Sequence, residues 1–134
     1  MNNVSNMPRK LREYVNNALY NAELYRILAK SAPTEGDKNT LEKFADENRQ
    51  TADAFMAIYH SMTGYSCEPE PSPIKESGSY KTVLRSRIKI EIADSQCYRR
   101  DYMNVSDNFK LKRAFFSAYN EALCRCIMII DLIM

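Results

Sequence analysis

YSCEPEPSPIKESGS, residues 65–79, is the stretch of sequence that decides the fold of this chain. It holds three of the five prolines, so it is typical of a connector and not of a helix or a strand. When extended, 15 residues reach about 50 Å, whereas a helix of 26 residues is about 39 Å long. The connector is therefore long enough to return the chain along the whole length of a long helix.

Long helical patterns lie on both sides of this connector. Apolar residues recur at spacings of three and four, which predicts four helices. The first runs from about Pro8 to Lys30, the second begins after a capping pair at Thr34 and Asp37 and stops at Thr63–Gly64, and the third runs from about Tyr80 to Met103. The fourth follows the turn NVSDN. The predicted buried faces are Leu11, Val15, Ala18, Ala22, Tyr25 and Ala29; Leu41, Phe44, Asn48, Thr51, Phe55, Ile58 and Met62; Leu84, Ile88, Glu91, Ser95, Tyr98 and Tyr102; and Leu111, Ala114, Ala118, Glu121, Cys124 or Arg125, Met128 and Leu132.

The lengths of the joins predict how the helices are arranged. The first and last joins are short, so each should link two antiparallel neighbours, while the middle connector is long. We therefore predict one all-α domain over residues 1–134, with the ferritin-like antiparallel four-helix arrangement and one long crossover between helices 2 and 3.

Composition excludes several classes of partner. The chain carries 19 Lys and Arg against 17 Asp and Glu, with no basic cluster interleaved with aromatic residues, so no nucleic-acid partner is expected. Its longest apolar run, CIMII at residues 126–130, is too short to cross a membrane. The N-terminal stretch MNNVSNMPRKLREY has no apolar segment of a signal peptide. These features predict a cytoplasmic protein with reduced cysteines, and the apolar C-terminal run or another apolar face predicts a homodimer.

The two halves of the chain can be superimposed with a constant shift of 73 residues and no gap. The shift pairs predicted core faces with core faces, for example Leu11 with Leu84 and Tyr25 with Tyr98. It also pairs each polar position of one buried face with a counterpart in the other half. These pairs are Ala18 with Glu91, Asn48 with Glu121, and Thr51 with Cys124.

Three stretches resemble the rubrerythrin-like branch of the ferritin-like superfamily. They are ALYNAELYRILAKSAP at residues 18–33, ENRQTADAFMAIYHSMTG at residues 47–64, and EIADSQCYRRDYM at residues 91–103 followed by AFFSAYNEALC at residues 114–124. The second is similar to the family pattern DExxHAxxFxxIYxxLTG. It matches that pattern at Ala52, Phe55, Ile58, Tyr59, Thr63 and Gly64.

The resemblance implies six ligand positions for a di-iron centre. Such a centre uses one Glu from each of two helices and a Glu-x-x-His from each of the other two. The six positions here are Ala18, Asn48, Thr51, Glu91, Glu121 and Cys124, so only Glu91 and Glu121 hold the expected residue. Tyr25 and Tyr98 stand where the family has tyrosines that hydrogen bond to the ligands. Glu47 and Gln50 offer another register, but using them would slip the match over residues 52–64 by one.

Two interpretations of function follow. In the first, the di-iron site is mostly lost, no cofactor is expected, and the bundle is a non-catalytic structural or interaction module. Hydrogen bonds from Asn48, Thr51 and the two tyrosines would then hold the buried carboxylates. In the second, Glu91, Glu121 and Cys124 form a residual site for iron or zinc, and the protein binds metal or carries out redox chemistry on peroxide or iron.

The other reactive side chains point to no site of their own. His60 is the only histidine, so it has no imidazole partner and is expected at the surface. Glu23 should face solvent, Cys67 should lie in an exposed connector, and Cys97 should be a small packing residue.

Overall fold

A computed structural model describes residues 6–134 of the chain. Within this range the secondary structure consists of four α-helices and no strand: α1 (Met7–Lys30), α2 (Glu35–Thr63), α3 (Tyr80–Asn104) and α4 (Phe109–Ile133). The four predicted helices are thereby confirmed. None of the helices in the described range combines the length and the apolarity that crossing a membrane requires.

The ends of α2 follow from its sequence. The Thr34 hydroxyl accepts a hydrogen bond from the amide of Asp37 at 3.0 Å, so the predicted cap is present. Gly64 ends the helix with φ at 78°, in the left-handed region that a residue with a side chain adopts at a cost. Ser79 and Asn108 cap α3 and α4 in the same way as Thr34 caps α2.

Two glycine substitutions on α2 should change stability in opposite directions. Gly64→Ala should lower the free energy of unfolding by about 1–2 kcal/mol, because the left-handed conformation crowds Cβ against the backbone. Gly36→Ala should raise it by about 0.5–1 kcal/mol, because Gly36 is helical and a Cβ there meets only the Thr34 hydroxyl at 3.9 Å. Urea unfolding followed by circular dichroism measures both variants, and the same sign for both would contradict this account of the helix end.

The helices contact one another through pairs of residues at several levels of the bundle. α1 meets α2 and α3, and α4 meets the same two helices. Representative pairs are Arg12 with Tyr59 and Tyr25 with Phe44 between α1 and α2; Lys10 with Asp101 and Asn21 with Arg87 between α1 and α3; Tyr102 with Lys112 and Ile88 with Cys126 between α3 and α4; and Phe55 with Phe115 and Glu47 with Arg125 between α2 and α4.

The buried face of α4 is shifted by one residue from the predicted face over much of the helix. Its buried side chains are Leu111, Phe115, Ala118, Ala122, Arg125, Cys126 and Ile129. Ala114 and Glu121 are therefore only partly buried, and Cys124 is exposed. The reason is that α3 ends and α4 begins one residue later than a constant shift of 73 from the corresponding ends of α1 and α2 requires. One residue turns a helix by about 100°, so the repeat is out of phase in α4.

The core divides into two hydrophobic clusters with a polar layer between them. One cluster includes Leu11, Phe55 and Phe115, and the other includes Leu28, Phe44 and Ile129. Between them lies a set of side chains that we call the central polar cluster: Asn21, Tyr25, Asn48, Arg87, Glu91 and Arg125.

The connector is attached to α1 and is not a free loop. Asn16 accepts a hydrogen bond from the Glu70 amide at 2.7 Å, and the Tyr20 hydroxyl accepts one from the Lys75 amide at 3.2 Å. Cys67 is buried against the hydrophobic cluster that contains Phe55, so the prediction that it is exposed was wrong. Burial also raises the pKa of its thiol, which leaves less of the reactive thiolate.

Candidate functional site

Glu91 lies at the centre of the bundle with none of its surface exposed to solvent. Its Oε2 atom accepts hydrogen bonds from the Tyr25 hydroxyl and from Arg125 Nε, the latter at 3.1 Å. Arg87 Nη2 lies 3.7 Å from the same oxygen. A bare buried carboxylate is costly, and these three groups supply the compensation.

Arg87 is a fully enclosed guanidinium on the same face of α3, one turn before Glu91. It donates from Nη2 to Asn21 Oδ1 at 2.7 Å and from Nε to the Tyr25 hydroxyl at 3.3 Å, and its guanidinium lies over the Tyr25 ring. Burial lowers the pKa of Arg87, but Tyr25 and Glu91 raise it by more, so the net shift is upward. The group therefore keeps its positive charge.

Arg125 reaches the same oxygen of Glu91 from another helix, α4. Its Nε atom binds Glu91, while its Nη1 donates to Glu47 Oε1 on α2 at 3.1 Å. The side chain of Glu47 keeps 22% of its surface exposed, so it forms the outer end of this chain of charges. Three helices are thus joined through one guanidinium.

The remaining members of the central polar cluster are neutral donors and acceptors. Asn48 accepts from Asn21 at 3.5 Å and donates to the carbonyl of Phe44 at 2.9 Å, so it does not reach a carboxylate as we had predicted. Burial, followed by the charge of Glu91, raises the pKa of Tyr25. Tyr25 therefore remains a phenol that donates to Glu91, as predicted for it.

The side chains that the sequence placed in one metal site are separated in the structure. Ala18 and Glu91 are buried, but Thr51 and Glu121 line a groove of about 440 Å³ between α2 and α4, where the Thr51 hydroxyl donates to Glu121 at 3.4 Å. Cys124 is exposed because of the phase of α4. Tyr98 is buried and packs against the rings of Tyr14 and Phe55, and it hydrogen bonds to neither Glu91 nor Glu121.

These residues do not fit a di-iron centre. Within residues 6–134, no three side chains of His, Cys, Asp or Glu come together as a metal-binding group. The central carboxylate is bound on one oxygen by two guanidinium groups, which carry the positive charge that iron ions would carry in such a centre. Glu91, Glu121 and Cys124 consequently form no common site in this conformation.

Other predicted positions agree with the structure. His60 and Glu23 are exposed, and Glu23 forms an ion pair with Arg26 at 2.7 Å. Asn48 is buried, whereas Glu47 is partly buried and Gln50 is exposed, so the register that uses Asn48 places the deeper residue in the core. Cys97 is half-buried.

Glu121 should make stability fall as pH rises. Burial and then the nearby Glu47 raise the pKa of Glu121 above its ordinary value of 4.5, so the folded state holds the proton more tightly than the unfolded state does. The folded state therefore loses stability as pH rises through the interval between those two pKa values. Glu121→Gln should remove this loss and be more stable at pH 7, by under about 1 kcal/mol since solvent screens a half-exposed group.

Urea unfolding of the wild type and of this variant at about pH 4 and pH 7 tests the sign. The difference between them should vanish at the lower pH. Glu42→Gln serves as the control, because Glu42 is an exposed glutamate on α2. This variant should match the wild type in stability at both pH values. A Glu121→Gln variant that is less stable than the wild type at pH 7 would contradict the prediction.

Sequence reasoning did not place Arg87 on a buried face, and it gave the buried Arg125 only as an alternative to Cys124. Arginine is almost never fully buried unless it is paired, so a charged residue in a helical pattern is ordinarily assigned to the surface. A signal was nevertheless present: Arg87 follows Leu84 by three residues and precedes Glu91 by four, so it lies on the predicted buried face. An arginine four residues before a buried glutamate is a candidate partner for it.

Comparison with protein families, with characterised proteins and with solved structures gave no significant match to this chain.

Proposed function

We propose that this protein is a non-catalytic structural or interaction module, built on a ferritin-like four-helix bundle whose di-iron site has been replaced by the central polar cluster. The single observation that carries the proposal is the ion pairing of Arg87 and Arg125 with Glu91. These two guanidinium groups already balance the charge of the carboxylate at the place where the family has its chemistry, so Glu91 needs no metal ion for that purpose.

The order of the contacts supports the ferritin-like arrangement. Early residues of α1 contact late residues of α2 and α3, as in the pairs Arg12–Tyr59 and Lys10–Asp101. Late residues of α4 contact early residues of α3, as in the pair Ile88–Cys126. Antiparallel hairpins α1–α2 and α3–α4, joined by a connector that crosses the length of the bundle, account for all these pairs.

We further propose a homodimer in a reducing cytoplasm. Exposed apolar side chains on α4, among them Ile127 and Ile130, favour an interaction role over a purely internal one. The four cysteines are all free, which suits a compartment in which thiols stay reduced. Neither a nucleic acid nor a membrane is part of this proposal.

One observation favours the alternative of a residual metal or redox site. Glu91 Oε1 is buried and has no hydrogen-bond partner among residues 6–134. An unpartnered buried carboxylate oxygen is the kind of atom that a metal ion binds. A rearrangement that brought Glu121 and Cys124 toward it would be needed to complete a site for iron or zinc.

Metal analysis separates the two functions. Protein purified from culture supplemented with iron and zinc should contain far less than one metal ion per chain by mass spectrometry, and it should not turn over peroxide. Near-stoichiometric metal that is lost in Glu121→Ala and retained in the exposed control Glu42→Ala would overturn the proposal and establish the alternative.

A further inference from the structure

The outward face of α4 carries apolar residues at the spacing of a coiled-coil seam. Alternating steps of four and three residues from residue 109 to residue 134 define eight seam positions, of which six are apolar: Phe109, Phe116, Leu123, Ile127, Ile130 and Met134. Ile127 is 68% exposed and Met134 is 89% exposed. The two remaining seam positions are Arg113 and Asn120, both exposed. A seam with this period is what a facing helix of the same kind covers.

We infer that this seam is covered by α4 of a second copy of the chain, in antiparallel orientation. The inference deepens the proposed interaction role and rests on it. An antiparallel pair related by a two-fold axis between residues 121 and 122 would set Phe109 against Met134, Phe116 against Ile127, and Asn120 against Leu123 of the partner. Every large exposed apolar side chain of the seam except Ile130 then meets another apolar side chain, and Ile130 meets the aliphatic stem of Arg113.

The charges beside the seam select this orientation. Lys110 and Asp131 are both exposed and lie on the same side of the seam, near opposite ends of α4. In the antiparallel pair each Lys110 faces Asp131 of the other copy, so two opposite-charge contacts form. A parallel pair would instead set Arg113 against Arg113 in the seam, and like charges in an interface are costly. The antiparallel helix dipoles are also favourable to each other.

Asn120 is the residue that would fix the register. A polar Asn in a seam lowers stability and disfavours alignments in which it has no polar partner. In this alignment Asn120 faces Leu123 of the partner, but the two Asn120 side chains also lie beside the two-fold axis, about 4.5 Å apart along the helix axis, where each can serve as the polar partner of the other. A second copy thus satisfies the apolar pairs, the charges and the polar position with one alignment.

Association can be tested with the full-length chain by sedimentation equilibrium. The wild type should be a dimer, and Ile127→Asp should raise its dissociation constant by a factor of about 30 or more, since it buries a charge at a central contact. Ile27→Asp is the matched control, because Ile27 is an exposed isoleucine on α1, outside the seam. It should leave the dissociation constant unchanged, and circular dichroism checks that both variants remain helical.

A disulfide between copies tests the orientation. In the antiparallel pair Ser117 of one copy faces Cys124 of the other, twice across the axis. Ser117→Cys should therefore give a covalent dimer when diamide oxidises the facing thiols, and the double variant Ser117→Cys/Cys124→Ser should not. The wild type should give none, because its two Cys124 residues lie about 7.5 Å apart along the helix axis alone, which exceeds the Cα separation that a disulfide spans.

A monomeric wild type, an Ile127→Asp variant that associates as tightly as the Ile27→Asp control, or equal crosslinking of the single and double cysteine variants would each overturn the inference. These outcomes are distinct from a failure of the proposed function. A metal-loaded dimer would refute the non-catalytic module and leave the seam intact, whereas a metal-free monomer would do the reverse.

Discussion

Replacing Glu91 with glutamine should lower the free energy of unfolding by about 3–5 kcal/mol, the usual result of removing one partner from a buried ion pair. Glutamine keeps the shape of the side chain and an oxygen that accepts from Tyr25. It removes the negative charge that neutralises Arg87 and Arg125 inside the bundle. Two guanidinium groups would then remain buried with only the partly exposed Glu47 and Glu76 as ionic partners.

Two further variants make this result specific. Glu23→Gln breaks the exposed pair with Arg26 and should change stability by less than about 0.5 kcal/mol. The triple variant Glu91→Leu/Arg87→Met/Arg125→Met removes all three charges together and should recover most of the lost stability, because apolar side chains of similar volume replace a buried ionic group without large cost. Since association shifts apparent stability, urea unfolding of all variants is to be measured at one protein concentration. A Glu91→Gln variant within 1 kcal/mol of the wild type would show that the charges are not coupled as described.

Phe55→Ala should lower the free energy of unfolding by about 3–5 kcal/mol through a cavity in the core. Phe55 is fully buried, and its ring centroid lies 5.3 Å from that of Phe115 and 5.7 Å from that of Tyr14. It also stacks with Tyr98, so one ring connects all four helices. Rigid neighbouring rings cannot collapse into the vacated space, which puts the expected loss toward the upper part of this range.

Tyr65→Ala is the matched control for that truncation. Tyr65 follows α2 and its side chain is 75% exposed, while the contacts made by its backbone are independent of the ring. The variant should unfold within about 0.5 kcal/mol of the wild type. Similar losses for the two variants would mean that the cluster around Phe55 is no better packed than the surface.

Local chemistry made the ends and number of the helices predictable. Thr34, Gly64 and the proline-rich connector act through backbone hydrogen bonds and through the conformations that individual residues allow, so a short window of sequence contains the cause. The faces of α1 and α2 were also predictable, because their apolar residues alone define a consistent stripe.

The phase of α4 could not be obtained in that way. Apolar residues surround this helix: Phe115 and Ile129 face the core, and Phe116 and Ile130 face solvent. Each candidate stripe is therefore nearly as apolar as its neighbour, and the one residue by which α3 is longer than α1 decides which stripe is buried. The helical spacing and the constant shift both placed Glu121 and Cys124 on the buried face, and the phase of α4 turns both of them toward the surface.

The pairing of charges in the core was not predictable for a different reason. Whether a guanidinium lies inside depends on a carboxylate brought near it by tertiary structure, and Arg125 meets Glu91 and Glu47 across three helices. The helical spacing showed that Arg125 could lie on the buried face of α4, beside Cys124. It did not show which carboxylates Arg125 binds, since they lie 34 and 78 residues away in the chain and no local sequence pattern connects them.

The central polar cluster also restricts how the helices slide past one another. A helix that moved by one turn, about 5.4 Å, would keep apolar residues against apolar residues over most of its length. It would also carry Arg87 or Arg125 away from Glu91 and into one of the two hydrophobic clusters. Uniformly apolar bundles tolerate such shifts and populate several packings, whereas here a displaced charge penalises each of them. We therefore expect a bundle with one alignment, at the expense of some of the stability that a wholly apolar centre would provide.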